Sequence, residues 1–433
     1  MFVLLRGGLD GLHAISPVAD PRWPSLRPTL AQPVLQSGLT LPGSGFALHP
    51  ALADCLTLYR AGELWFCPTA GSPNTSRSHF QAQDVMELGT GAISGNTGWM
   101  GRLASQLDGR LAANFAANAP LALYGAGVAI EHIPLARQAL RLPGGALQEA
   151  LLRAHAGSPS QRWLQQAIDT QALLAQADPD QASRNAAPLA GWAAQARQMG
   201  QVLRQQPELA LAFVDLSGVD SHVNQAAGLA QPLTQLGQGL LAMKTALGEA
   251  EWARTRVVVL SEFGRTAAEN GTRGTDHGHG GLALLAGGGL GREGRMLGDF
   301  AGLQANALFE GRDLPVTLDW RSLLATVSQA VFGLWRGRWI RCFLAGRPGA
   351  RHGKAVTPDK PRATFCERRL TWLYTARQPN GRPGVIPETS SHRKVLLPIL
   401  AIADHTRQAV ACREPWIRLP DDFARTFPPG FFD

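Results

Sequence analysis

Short apolar runs punctuate a chain that is otherwise rich in Ala, Leu, Gly and Gln. Phe2-Val3-Leu4-Leu5, Leu64-Trp65-Phe66-Cys67-Pro68-Thr69, Leu209-Ala210-Leu211-Ala212-Phe213-Val214, Arg256-Val257-Val258-Val259-Leu260 and Leu282-Ala283-Leu284-Leu285 are all too short for helices. Their hydrophobicity is near-continuous rather than alternating, which predicts strands buried on both faces, as in a parallel sheet lying between helices. Leu135 to Gln206 reads differently, because Ala, Leu, Gln and Arg dominate and β-formers are few. It predicts several amphipathic helices broken at Pro143-Gly144-Gly145 and Asp178-Pro179-Asp180, either a helical insertion over a crevice or an outer layer. Further helices are expected from Asn74-Thr75 to about Leu88, from near Val223, and from Asp319 to Gly333. Strands alternating with helices predict an α/β fold with a mixed, mostly parallel sheet.

Candidate chemistry gathers where the strands stop. Arg6-Gly7-Gly8 breaks the first run, so Asp10 sits on a tight turn past the strand's C-terminal end. Asp215 and then Gly218-Val219-Asp220-Ser221-His222 follow the Leu209 run. Ser261-Glu262-Phe263-Gly264-Arg265-Thr266 follows the Arg256 run, and a polar loop from Ala268 to Gly274 then delivers Asp276-His277-Gly278-His279 just before Leu282. Ligand crevices of open α/β sheets lie at that edge, and carboxylate oxygen with imidazole nitrogen binds divalent metals. Simpler roles stand beside this one: Asp10 as an Asx-turn residue, and Asp220 and Ser221 as caps of the following helix.

The Leu64 run leads to a different element. Ala70-Gly71-Ser72-Pro73 reads as a turn and Asn74-Thr75-Ser76-Arg77-Ser78-His79-Phe80 as the start of a helix. Hydroxyls there lie beside free N–H groups that suit an oxyanion, and Arg77 adds a planar donor matched to phosphate or sulfate. A hydroxyl needs a metal or a base to attack.

Composition narrows the classes. At 433 residues and 45% hydrophobic the chain can bury a large core, and no run is long or apolar enough to cross a membrane. The net charge of +8 is uneven. Residues 1–334 hold 23 Lys+Arg against 25 Asp+Glu, and residues 335–433 hold 18 against 8, so the excess lies wholly in the tail. Without a nucleic-acid-binding motif, that distribution argues against a polyanion-binding function. Five scattered cysteines argue against a disulfide framework.

Leu5-Arg6-Gly7-Gly8-Leu9-Asp10-Gly11-Leu12, Ser76-Arg77-Ser78-His79-Phe80, Gly98-Trp99-Met100-Gly101-Arg102, Gly218-Val219-Asp220-Ser221-His222, Ser261-Glu262-Phe263-Gly264-Arg265-Thr266 and Asp276-His277-Gly278-His279-Gly280 resemble, in order, the motifs of the family called domain of unknown function 1501. That family is similar to the superfamily of alkaline phosphatases, sulfatases and cofactor-independent phosphoglycerate mutases. The resemblance implies a three-layer α/β/α sandwich, alkaline-phosphatase-like, over residues 1–334. It implies metal-dependent hydrolysis of a phosphate or sulfate ester, with a small-molecule or glycan anionic ester as substrate. Asp10, Asp220, His222, Asp276, His277 and His279 would hold divalent metal (Zn, Mn, Ca or Mg), with Glu262 as ligand or base. Thr75 would be the nucleophile with Ser76 and Ser78 as rivals, while Arg77 and Arg265 complete the catalytic set. Glu262-Phe263-Gly264 stands where the superfamily has Asp-His-Gly, so an imidazole ligand is missing there. That departure motivates an alternative, a non-catalytic binding protein that keeps the fold and one structural metal. Family members resemble proteins exported through the twin-arginine route, which implies a periplasmic location if an upstream signal is missing here and a cytoplasmic one as the sequence stands. The basic tail, 335–433, reads as a poorly ordered, out-of-frame or read-through extension, against the rival of a small basic accessory domain.

Overall fold

A computed structural model describes residues 1–334, apart from 94, 108–109, 117, 126–129, 134–144 and most of 159–190. The expectations for the tail, and for the breaks near Pro143 and Asp178, lie outside the described residues. The strands are β1 (Phe2–Leu5), β2 (Ile15–Ser16), β3 (Leu39–Leu41), β4 (Phe46–Leu48), β5 (Leu64–Gly71), β6 (Leu111–Asn114), β7 (Ile130–His132), β8 (Leu209–Leu216), β9 (Val257–Ser261), β10 (Gly281–Ala286) and β11 (Leu318–Asp319). Eight of them form one sheet in the order β11-β5-β10-β9-β1-β8-β6-β7, and β2, β4 and β3 form a small antiparallel one. In the large sheet every pairing is parallel except those of β10, which runs against both β5 and β9. The α/β class and the mixed, mostly parallel sheet expected from the apolar runs are both present.

The continuous hydrophobicity has the cause inferred for it. Val3 and Leu5 of β1 enter one apolar cluster, with residues of the helices Ala53–Arg60, Trp192–Gln205 and Gln225–Arg254. Phe2 and Leu4 enter another, with residues of the helices His79–Leu88, Trp99–Ala104 and Trp320–Phe332. Side chains alternate across a strand, so a strand buried on both faces cannot carry polar positions. Each fully buried Val, Leu or Phe contributes about 1.5–3 kcal/mol. The long helix Gln225–Arg254 lies against Trp192–Gln205 at close range because Gly239 has no side chain. A Cβ there would come within 2.0 Å of the Trp192 indole.

Two expectations shift. The helix after β5 begins only at His79, because Asn74 to Ser78 spend their polar groups on tight local turns: Asn74 Oδ1 accepts from the Ser76 N–H and Ser76 Oγ from the Ser78 N–H. The helix near Val223 begins at Gln225 and is preceded by Asn224 in a left-handed conformation, so neither Asp220 nor Ser221 caps it. The direction of β10 places the site. Parallel strands β1, β5, β8 and β9 all deliver their C-terminal ends to one edge, and antiparallel β10 begins at that same edge.

Candidate metal centre

His79, Asp220 and His277 meet at this edge, each offering one donor atom within 4.8 Å of the others. They come from the first turn of the helix after β5, the turn after β8, and the loop that leads into β10. His79 Nε2 lies 3.3 Å from Asp220 Oδ2, and His277 Nε2 lies 3.8 Å from Asp220 Oδ1. His222 joins them, with its Nε2 3.0 Å from His277 Nε2 and 3.1 Å from Asp220 Oδ1.

The histidine tautomers follow from what holds the other ring nitrogens. His79 Nδ1 is 2.8 Å from Glu262 Oε1, so it donates there and leaves Nε2 with a lone pair. His277 Nδ1 is 2.7 Å from the Arg77 carbonyl oxygen, so it too donates and leaves Nε2 a lone pair. His79 Nε2 is buried without a hydrogen-bond partner. Buried acceptors are rarely left so, and a carboxylate or carbonyl behind an imidazole is the usual backing of a metal-binding histidine. Burial pushes the His277 pKa down and the Arg77 carbonyl only partly opposes it, while Arg265, His79 and His222 lower it further. His277 is therefore neutral at neutral pH, as a ligand must be. Burial raises the Asp220 pKa, but the Arg265 guanidinium, with His79 and His222, outweighs it and keeps the carboxylate ionised. Two or three imidazoles converging on one carboxylate, with His79 Nε2 unpartnered, fit a divalent transition ion.

The remaining predicted residues are placed around this group rather than in it. Asp10 is sealed: the Arg27 guanidinium lies 2.7 Å from its Oδ2, Gln225 Nε2 lies 2.5 Å from the same oxygen, and Oδ1 accepts from the His13 N–H. Its charge is matched by a buried guanidinium within the fold. Glu262 is not one of the three converging donors either. Its side chain is fully buried, and Oε1 accepts from the Gly7 N–H, Gln83 Nε2 and His79, while Oε2 accepts from Ser261 Oγ. Burial raises its pKa, but these hydrogen bonds outweigh that and hold it below the ordinary glutamate value. Its contact with Nδ1 holds the His79 ring in place. His279 turns away against Phe309, with ring centroids 4.4 Å apart. Asp276 stands behind His222, 3.6 Å from its Nδ1, and is more than half exposed.

The proposed catalytic arginines are likewise occupied. Arg77 pairs with Glu310 at 2.6 Å and buried Asp313 at 2.8 Å. Arg265 is buried and donates to the Gly7, Gly8 and Thr275 carbonyl oxygens and to Asp220, so it clamps the loops that carry the site. That clamp requires the β1 turn to pass tightly under Asp220. Gly7 has φ +122, and a Cβ there would meet the Asp220 backbone nitrogen at 2.7 Å. Among the hydroxyls, Ser76 Oγ is committed to Gln81 Oε1 and the Ser78 N–H. Ser78 caps its helix without a side-chain bond, and Thr75 is exposed.

His79 was absent from the expected ligands. Its signal was its position, first in the helix after the hydroxyl-rich turn, where a side chain faces back over the sheet edge. The Phe263 ring lies 4.8 Å from the rings of both His79 and His277. Strain also marks the place. Among the described residues the non-glycine left-handed positions are Asn224, Arg273 and Glu310. Asn224 follows His222, Arg273 precedes His277, and Glu310 pairs with Arg77. Backbone strain of this kind concentrates at functional sites.

Fold and site together define an α/β protein with a histidine-carboxylate cluster at the C-terminal edge of a mixed sheet. Residues 67–341, more than half of the chain, match the family model described as protein of unknown function (DUF1501), and the chain belongs to that family. No curated protein matches the chain.

Proposed function

We propose that this chain is a metal-dependent hydrolase of phosphate or sulfate esters with a single transition-metal site. The observation that carries the proposal is the pair of imidazoles, His79 and His277, each pinned through Nδ1 so that both Nε2 lone pairs converge beside Asp220. Such a donor set suits zinc, manganese or their neighbours and not calcium or magnesium, which prefer all-oxygen shells. A divalent ion held there supplies Lewis acidity to a phosphoryl or sulfuryl oxygen. Glu262 fixes the His79 ring, Arg265 fixes Asp220, and the Arg77 carbonyl fixes His277. The attacking hydroxyl comes from Thr75 or Ser78, since Ser76 is spent on bracing its own turn. The motif resemblance to the alkaline phosphatase and sulfatase superfamily supports the same chemistry.

The test is elemental analysis of the purified protein, then turnover of aryl phosphates and sulfates by the metal-loaded form. About one equivalent of transition metal and hydrolysis lost in His79→Ala are the expected results. The sealing of Asp10 by Arg27 favours a second reading, a binding protein with one structural metal. A stoichiometrically loaded protein that turns over none of the esters would select it.

A further inference from the structure

Leu260, Leu4 and Phe213 enter the apolar cluster that the helix His79–Leu88 helps to cover. Two positions further along the adjacent strands β9, β1 and β8, Glu262, Arg6 and Asp215 continue that face at the sheet edge. The helix carries His79, Gln83 and Glu87 at successive turns, and so on one side of it. The two rows meet in a chain of hydrogen bonds. Arg6 Nη1 donates to Gln83 Oε1 at 2.8 Å, Gln83 Nε2 donates to Glu262 Oε1 at 2.8 Å, and the same oxygen accepts from His79 Nδ1 at 2.8 Å.

Gln83 has one orientation open to it. An arginine only donates and an ionised carboxylate only accepts, so the amide oxygen must face Arg6 and the amide nitrogen Glu262. Arg6 is itself fixed, with Nε 2.7 Å from Asp215 Oδ2 and Nη2 2.9 Å from Glu87 Oε1. Glu87 is buried, and its Oε2 accepts from the Ala122 N–H. Glu262 Oε1 is thus held from the helix by Gln83 and from the turn after β1 by the Gly7 N–H. Its placement matters because His79 lies between two carboxylates. Nδ1 faces Glu262, while Nε2 lies 3.3 Å from Asp220 Oδ2, so a neutral ring has an acceptor for its one proton at either end. Only the Nδ1–H form leaves Nε2 a lone pair for an ion, and the shorter contact is the one that Gln83 maintains.

We propose that Gln83, oriented by Arg6, is a positioning residue of the metal centre: it holds Glu262 against His79 Nδ1 and so selects the tautomer whose Nε2 can bind an ion. The inference rests on the reading of His79 as a ligand and needs no hydrolytic activity.

Two measurements on the full chain test it: zinc affinity by competition titration, and the His79 ring-nitrogen shifts by NMR on the metal-free protein. Wild type should carry the His79 proton on Nδ1. Gln83→Met keeps the reach of a half-buried side chain and loses both hydrogen bonds. It should weaken zinc binding about three- to tenfold, less than the loss of a direct outer partner, and move the His79 proton towards Nε2. Gln83→Glu still meets Arg6 but turns a second carboxylate on Glu262, and should do both more strongly. In a Glu262→Gln background, Gln83→Met should change zinc affinity less than about twofold, because the residue acts through Glu262, whereas a loss caused by a loosened helix would persist there. An Nε2–H ring in wild type, unchanged zinc affinity in both variants, or equal losses in the two backgrounds would each overturn the proposal. The tautomer is read without zinc or turnover, so a chain that hydrolyses no ester overturns the hydrolase reading alone.

Discussion

Asp10 and Asp220 follow adjacent strands, β1 and β8, and stand in glycine-bounded turns at one sheet edge, but their surroundings differ in kind. The Asp10 side chain is 2% exposed and meets a guanidinium, an amide and a backbone N–H. That of Asp220 is 45% exposed and, besides the Arg265 guanidinium on its Oδ1, faces the rings of His79, His222 and His277. Both carboxylates thus have a buried guanidinium beside them, and access is what separates them. Asp10 is closed off on every side and acts as a structural tie, whereas Asp220 keeps an open face among imidazoles where a cation can enter. The same residue type in the same kind of turn takes different roles according to what surrounds it.

The comparison breaks most readily at Arg27. Arg27→Met strands the buried Asp10 charge and should cost about 3–5 kcal/mol, measured by urea unfolding. Asp220→Asn should cost far less stability yet weaken zinc or cobalt binding by more than about a hundredfold, beyond the effect of losing an outer partner. Equal stability losses at the two positions would erase the distinction. Next in size, Glu262→Gln should weaken metal affinity about 10–100-fold, since the amide can no longer accept from His79 with full charge. The cobalt absorption spectrum would show the displaced imidazole, and unchanged affinity and spectrum would mean that Glu262 does not orient a ligand.

Acid should distinguish the two regions as well. His13, beside Asp10, is buried and its pKa is pushed down to about 4, first by burial and then by the nearby His49 and Arg27, with Asp10 opposing. The unfolded chain takes up that proton near pH 6.5, so stability is complete above 6.5 and falls as the pH drops towards 4. The slope is up to about 1.4 kcal/mol per pH unit for one proton. His13→Leu should flatten it in unfolding curves collected between pH 4 and 7, and an unaltered slope would place the sensitivity elsewhere. The smallest effect is expected at Asp276, 3.6 Å from His222 and more than half exposed. Asp276→Asn should change metal affinity by less than about fivefold in equilibrium dialysis, as exposed pairs contribute little.

Much of this arrangement was legible in sequence because it was local. Val257 to Ser261 could only be a buried strand, and glycine-flanked Asp220, His222 and His277 pointed to the edge that they occupy. Residues defined by distant partners were not legible. Arg27 lies in a stretch without apolar periodicity, and nothing near it in sequence announces that it neutralises Asp10. His79 was read as part of a helix start, since its role depends on Glu262, which is 183 positions away. Leu111-Ala112-Ala113-Asn114 lacks β-branched residues and becomes β6 because β8 and β7 supply ladders on its two sides.

Because β10 runs against its neighbours, the chain from Glu262 to Gly280 leaves and rejoins the sheet at the same edge. Its ends are fixed side by side by the β9–β10 ladder, and an isolated bridge between Arg265 and His277 closes its stem. The outer part of the loop folds back onto the neighbouring turn: Asn270 Nδ2 and Thr272 Oγ1 donate to the His222 carbonyl oxygen, and the N–H groups of Asn224 and Gln225 donate to the Thr272 and Arg273 carbonyl oxygens. One excursion from the sheet thus carries His277 and braces His222, so a change in its length would displace both imidazoles together.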